Sequence, residues 1–250
     1  MTSINKQCIF NLNKHCLFRR KGISRPKRID QVDLLNLIKE TAWQQIAENG
    51  AAALSLRAIA RALHITAPAI YNYYASRDDL VTALVHDAYT SMGDAQLDAF
   101  HSVLVEDHKA RLKALGYMYR QWAVTHPQHY QLIFGTPIPG YHAPAEITMP
   151  AASRSLEPLI NCLAGAHQAG KLRILRSADL PIHLHQQFEH WQQMHPEFPV
   201  EAYYAATIIW SRVHGLVSLE IGSQFPQFLE DIPAFYQLEI DQIAADYLLD

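Results

Sequence analysis

From about residue 31 onward, apolar positions recur mostly every three or four residues, the spacing of one face of a helix. Val32, Leu35, Ile38, Ala42 and Ile46 trace a first helix, and Asn49-Gly50 ends it. Ser55 then reads as an N-cap, with Leu56, Ile59, Ala60 and Leu63 at helical spacing behind it. His64-Ile65 breaks the pattern. Thr66 is a second N-cap candidate, and Pro68 falls in the first turn of a short third helix, where a missing N–H costs nothing. Ser76 with Asp79 three residues on reads as a capping box that opens a long helix towards Phe100.

Downstream the period persists. Leu112, Leu115, Tyr119, Trp122 and His126 form one stripe, and Pro127 opens a short segment, "PQHYQLIFG". Residues 135–150, "GTPIPGYHAPAEITMP", contain four prolines and two glycines and read as a loop. Helical patterns resume around 151–169, 178–194, 200–222 and 233–249, with no alternating strand pattern and no internal repeat. The expected fold is all-α. A three-helix head at 26–80 follows a basic arm at 1–25, and a larger helical body fills 81–250.

Charge sharpens that division. The 250 residues carry a net charge of −3, yet residues 1–77 hold 12 Lys+Arg against 4 Asp+Glu, and the remainder 9 against 20. A basic head on an acidic body suits a head that meets a polyanion. Residues 1–25 read as a basic arm or an over-extended start. They lack the uninterrupted apolar stretch of a signal peptide, no run is long enough to span a bilayer, and a cytoplasmic protein is expected. Cys8, Cys16 and Cys162 form no metal-spaced pair and no disulfide framework.

The stretch "ITAPAIYNYY", residues 65–74, holds the candidate chemistry. With Ile70 and Tyr73 facing inward, Ala67, Ala69, Tyr71, Asn72 and Tyr74 are left on the outer face or its flanks. That is an odd surface for a helix that need only be soluble.

Residues 31–80 resemble the DNA-binding domain of the TetR family of bacterial transcriptional regulators, through a first helix ending in "ENG", then "SLRAIARAL", "ITAPAIYNYY" and "SRDDL". "WSRVHGLVSLEIGSQFP", residues 210–226, looks like the Trp-His-Gly motif of one subgroup of TetR-like ligand-binding domains. His64 stands where the turn of this family often holds glycine, and Ala67-Pro68 replaces a common lysine-glycine pair. The resemblance implies a helix-turn-helix laid into the major groove of an operator. Ala67 and Ala69 then allow close approach and can touch thymine methyls, and Asn72 suits an adenine edge. Tyr71 and Tyr74 offer hydroxyls to phosphate. Ser55, Thr66 and Ser76 sit at helix N-termini that favour phosphate, and Arg57 and Arg77 are the flanking cations.

For the body, the resemblance implies a homodimer built from its last two helices, with Trp210, Val213, His214, Val217 and Ile221 as the expected seam. The candidate small-molecule site is drawn from aromatics with polar tips, namely Tyr117, Trp122, Tyr130 and Phe134, with Arg120 and His126 as polar anchors. The expected effector is modest in size and largely apolar or aromatic. The function read from these features is a DNA-binding regulator, in the first instance a repressor, with no cofactor and no catalytic residue. One alternative is a dimeric regulator with no inducer. The other is a metal-dependent enzyme, prompted by fourteen histidines and "PIHLHQQFEHWQQMH", residues 181–195. Metal pairs on a helix need spacing of three or four, which His183 with His185 or His190 lacks, and neither "HExxH" nor "GxSxG" occurs.

Overall fold

A computed structural model describes residues 31–174 and 179–249. It consists of ten α-helices: α1 (Gln31–Asn49), α2 (Leu56–Ala62), α3 (Ala67–Tyr71), α4 (Arg77–His101), α5 (His108–Thr125), α6 (Pro127–Phe134), α7 (Ala145–Gln168), α8 (Ile182–Met194), α9 (Val200–Ile221) and α10 (Ile232–Tyr247). A 3-10 turn, Ala51–Ala53, follows α1. Among the described residues, β pairing is confined to an isolated bridge between Leu172 and Leu248, which ties the chain after α7 to the end of α10. The expected basic arm, with Cys8 and Cys16, lies outside the described residues.

Local chemistry sets most helix ends. Gly50 takes φ +76 after α1, a conformation open to glycine at little cost. The Ser55 hydroxyl accepts from the Ala58 N–H at α2, and Ser76 with Asp79 forms the full capping box at α4. Between α2 and α3, His64 adopts φ +54, so it performs the left-handed turn without a glycine. The His64 N–H donates to the Arg61 carbonyl at 3.2 Å and the Ile65 N–H to the Ala60 carbonyl at 3.0 Å, which closes a Schellman motif. Thr66 precedes α3 with extended backbone, but its hydroxyl makes no cap bond.

One expected loop is shorter than the sequence suggests. Helix α7 begins at Ala145 and carries Pro150 and Pro158 inside it, so the connection from α6 spans only 135–144. A proline in the second turn weakens a helix without ending it when neighbouring helices hold the segment, and α7 packs along α4.

Two apolar clusters organise the molecule. The head core collects Ile38, Ala42 and Ile46 of α1, Ile59 of α2, Ile70 of α3, and Leu80 to Val85 of α4. The body core joins the second half of α4 to α5, α6, α7, α9 and α10, with Leu115, Trp122, Tyr130, Leu163, Val217 and Ile240 among its buried residues. Helix α4 belongs to both. Further ties join head to body: Trp43 of α1 stacks on His129 of α6 at 3.8 Å between ring centroids, and Lys39 pairs with Asp87 at 2.6 Å.

Candidate nucleic-acid interface and inner cavity

The head presents a coherent outward surface around α3. Arg57, Thr66, Pro68, Asn72 and Ser76 are exposed, and Tyr71 is 43 % exposed. Ala67 and Ala69 are half-buried beside them, so the leading end of the helix is slim. Arg61, which stands four residues after Arg57 on α2, is exposed too and adds a cation that the expected set omitted. Its spacing from Arg57, one helical turn on the same face, was the available signal.

Of the tyrosines, Tyr74 departs from the expectation: expected to face outward, it is 7 % exposed and belongs to the head core. Tyr73, expected inward, is half-buried and packs against that core. The reason lies in the helix ending at Tyr71: four-residue spacing from Ile70 carries Tyr74 back onto the core side, and its N–H still donates to the Ile70 carbonyl at 3.1 Å. Burial, and next to it the Asp87 carboxylate, pushes the Tyr74 phenol up to about 12. Tyr74 therefore leaves the candidate interface.

Arg77 and Ser76 are committed elsewhere. The Arg77 guanidinium donates to the carbonyls of Ala51 and Ala52, both at 3.1 Å, and lies 3.5 Å from the Asp78 carboxylate. It fastens the 3-10 turn to the start of α4 instead of projecting freely as a flanking cation. The Ser76 hydroxyl accepts from Asp79 N–H, and the Asp79 carboxylate accepts from Ser76 N–H at 2.9 Å, which places a negative charge where a phosphate was expected. Ser55 is likewise spent as a cap, while its own N–H donates to the Gln45 side chain at 3.2 Å.

In the body, the expected ligand residues fall into three separate places. Tyr117 and Arg120 line a surface cleft between α5 and α10. There Tyr117 donates to Asp241 at 3.2 Å, and Arg120 makes a two-pronged bond to Glu220 at 2.7 and 2.5 Å, joining α5 to α9. Trp122 and His126 stack on the side nearest the head, and the indole N–H of Trp122 donates to Ser91 at 3.1 Å. Tyr130 is buried, its hydroxyl within 3.1 Å of His214 Nδ1 and 2.8 Å of Ser218. Of the six, only Phe134 lines the inner cavity.

That cavity, about 230 Å³, lies between α4, α5, α6, α7 and α9, and Tyr89, Met92, Gln96, Tyr119, Leu159 and Trp210 contribute to its wall with Phe134. No charged side chain lines it. Behind the wall, His214 Nδ1 lies in hydrogen-bond contact with the Tyr119 hydroxyl at 2.9 Å, and burial lowers the pKa of His214 and so favours the neutral ring. Burial also raises the Tyr119 and Tyr130 phenols, which keeps both hydroxyls protonated. Sequence periodicity could not assemble this cavity, because its residues come from five helices spread along the chain.

The expected dimer seam also turns inward. Val213 and Val217 are buried in the protomer's own core, and Trp210 stacks on His214 at 4.9 Å beside Phe134. Ile221 lines a cleft beside the end of α1. The apolar stripe of α9 is thus used within the protomer, and a second face remains outside. Leu219 there is 37 % exposed, and a Cβ at Gly215 would meet nothing within 4 Å.

Comparison with known proteins follows from this geometry. Residues 38–84 match the model for bacterial regulatory proteins of the tetR family, and residues 112–243 match that for a tetracyclin repressor-like C-terminal domain. The chain belongs to the TetR family. It is 34 % identical over 190 residues to the HTH-type transcriptional regulator Rv1816 of Mycobacterium tuberculosis, covering 75 % of this chain and 80 % of that protein. The same figures describe the regulator Mb1846 of Mycobacterium bovis. Among solved structures, the regulatory protein SCO4313 is 33 % identical with a TM-score of 0.69, over 85 % of this chain and 95 % of that one. A TetR family regulator from Marinobacter aquaeolei VT8 shares the fold at a TM-score of 0.58, with 18 % identity over 86 % of this chain and 95 % of that one. The chain is accordingly a DNA-binding transcriptional regulator with a helix-turn-helix head. Among the described residues, no helix is long and apolar enough to cross a membrane, and no group of three or more His, Cys, Asp or Glu could hold a metal ion.

Proposed function

We propose that this TetR family regulator binds a palindromic operator as a homodimer, represses transcription there, and is released by a small, neutral, largely apolar or aromatic compound. The observation that carries this reading is the uncharged cavity walled by Tyr89, Met92, Gln96, Tyr119, Phe134 and Trp210, with α4 forming part of that wall and running on to the helix-turn-helix. A compound seated there presses on the helix whose capping box abuts α3. Tyr71, Asn72, Arg57, Arg61, Thr66, Ala67 and Ala69 are the candidate DNA contacts.

The homodimer reading draws support from the outer faces of α9 and α10. Leu219 and Gly215 on α9, and Leu238, 63 % exposed on α10, offer apolar surface and room for close helix approach. Two short recognition helices reading half-sites one DNA turn apart supply a specificity that five residues of α3 alone cannot. Selection of bound sequences from random DNA, followed by a screen of neutral aromatic compounds against the selected complex, tests the reading. Recovery of a palindrome and release by at least one such compound is the expected result. A selected site that no compound dissociates would leave a regulator without an inducer.

A further inference from the structure

The connection between α6 and α7 reaches into the head. Ile138-Pro139-Gly140-Tyr141 forms a tight turn with proline second, glycine third at φ +77, and the Tyr141 N–H donating to the Ile138 carbonyl at 3.1 Å. These are the requirements of a type II turn, so the knob is stiff before it packs. Ile138, 9 % exposed, is a member of the head core although it lies more than fifty residues beyond the rest of that cluster. Tyr141 places its hydroxyl 3.0 Å from that of Thr82, which is itself buried in the head half of α4.

Space lies on both sides of this turn. Beneath it is a cavity of about 280 Å³ whose wall includes Val85, Tyr89, Ile138, Tyr141 and Ala152. Tyr89 and Ala152 also line the inner cavity, so the two spaces adjoin along α4 and α7. On its other side, Ile138 borders an open cleft of about 640 Å³ against the end of α1 and the 3-10 turn. Ile138 itself is buried in the head core, so displacing the turn gives up that contact while meeting open space on either side.

We propose that the cavity under the Ile138–Tyr141 turn is a second part of the effector site, and that the turn is the lever linking it to the head. A neutral apolar compound spanning both cavities lifts Ile138 out of the head core and parts Tyr141 from Thr82. The chemistry of the walls assigns that class of compound, since neither cavity has a charged residue in its lining. With the knob withdrawn, the head is held to the body by α4, the Trp43–His129 stack, the Lys39–Asp87 pair and the packing of Leu132 and Ile133 against the head core, and the two recognition helices lose their fixed separation. The inference rests on the effector reading above.

A ligand-free cycle tests it. Ala152→Phe places a ring where the two cavities adjoin and mimics occupancy, with Ala152→Met as a smaller version should the ring prevent folding. Ile138→Ala removes the knob, and the double variant closes the cycle. Hydrogen exchange across residues 136–143 and around Thr82 is read alongside affinity for the selected palindrome. Expected are faster exchange in the turn for Ala152→Phe, at least about tenfold weaker DNA binding for each single variant, and no further loss in the double variant. Unchanged exchange in the turn, or losses that simply multiply, would overturn the lever. Failure of the wild type to bind any selected DNA, or of every compound to release it, would instead count against the proposed function and leave the cycle's exchange data readable.

Discussion

The head and the body build their functional surfaces in different ways. Every candidate DNA contact lies within sixteen residues of sequence, from Arg57 to Asn72, and is placed by short-range devices: a serine cap, a left-handed histidine and a five-residue helix. The inner cavity draws on α4, α5, α6, α7 and α9, from Tyr89 to Trp210. Local chemistry can place the first surface. Only tertiary packing can place the second, and a residue's type alone does not say whether it faces the cavity, the core or solvent.

The sharpest break in that comparison is between two neighbouring tyrosines of the head. Tyr74→Ala empties a ring from the head core and should cost about 3–5 kcal/mol in denaturant unfolding. Tyr71→Ala, on the exposed side, should leave stability within about 0.5 kcal/mol while weakening DNA binding. Equal stability losses would mean that α3 is rotated from the orientation described here.

Next in size is Asn72→Ala. Exposed at the end of α3, Asn72 should cost about 1–3 kcal/mol at one base pair of the operator and relax preference there, as read by competition among single-base variants of the site. Uniform weakening across all sequences would reassign it to the phosphate backbone.

How far the fold could be read from sequence follows from the same contrast. The caps at Ser55 and Ser76, the break at His64 and the end at Gly50 are each encoded in a few adjacent residues, and the helices they bound stand where the pattern puts them. Tyr74 was misplaced because a five-residue helix contains too few turns for periodicity to fix its face. The α9 stripe was legible as apolar, yet periodicity cannot distinguish a helix's own core from a partner's, and Val213 and Val217 proved to be core. Arg77 and Arg120 looked like free polar anchors because their partners, the carbonyls of Ala51 and Ala52 and the carboxylate of Glu220, lie 25 to 100 residues away.

A smaller effect belongs to the junction of the two regions. Ser76→Ala removes one half of the capping box at α4 and should cost about 1 kcal/mol in stability. The loss should appear as a lower unfolding midpoint, with Ser76→Asp restoring most of it. No change would mean that Asp79 alone holds that helix end.

The mildest test uses pH. Burial, with His126 next to it, lowers His129 from 6.5 to about 4, so its ring is neutral against Trp43. Between those values the unfolded chain binds the proton more readily, and stability falls as pH drops from about 6.5 towards 4. His129→Phe keeps a ring on Trp43 and should flatten that limb of the stability profile. An identical slope in the variant would assign the acid sensitivity to other groups.

The most direct measurement of the central claim compares the selected palindrome with a single half-site by fluorescence anisotropy at about 50 and 200 mM salt. Two protomers should bind the palindrome and far fewer the half-site. Affinity should fall on the order of a hundredfold or more across that salt range as neutralised phosphates regain their counterions. Equal affinity for half-site and palindrome, or affinity that ignores salt, would contradict a dimeric regulator reading DNA through paired helix-turn-helix heads.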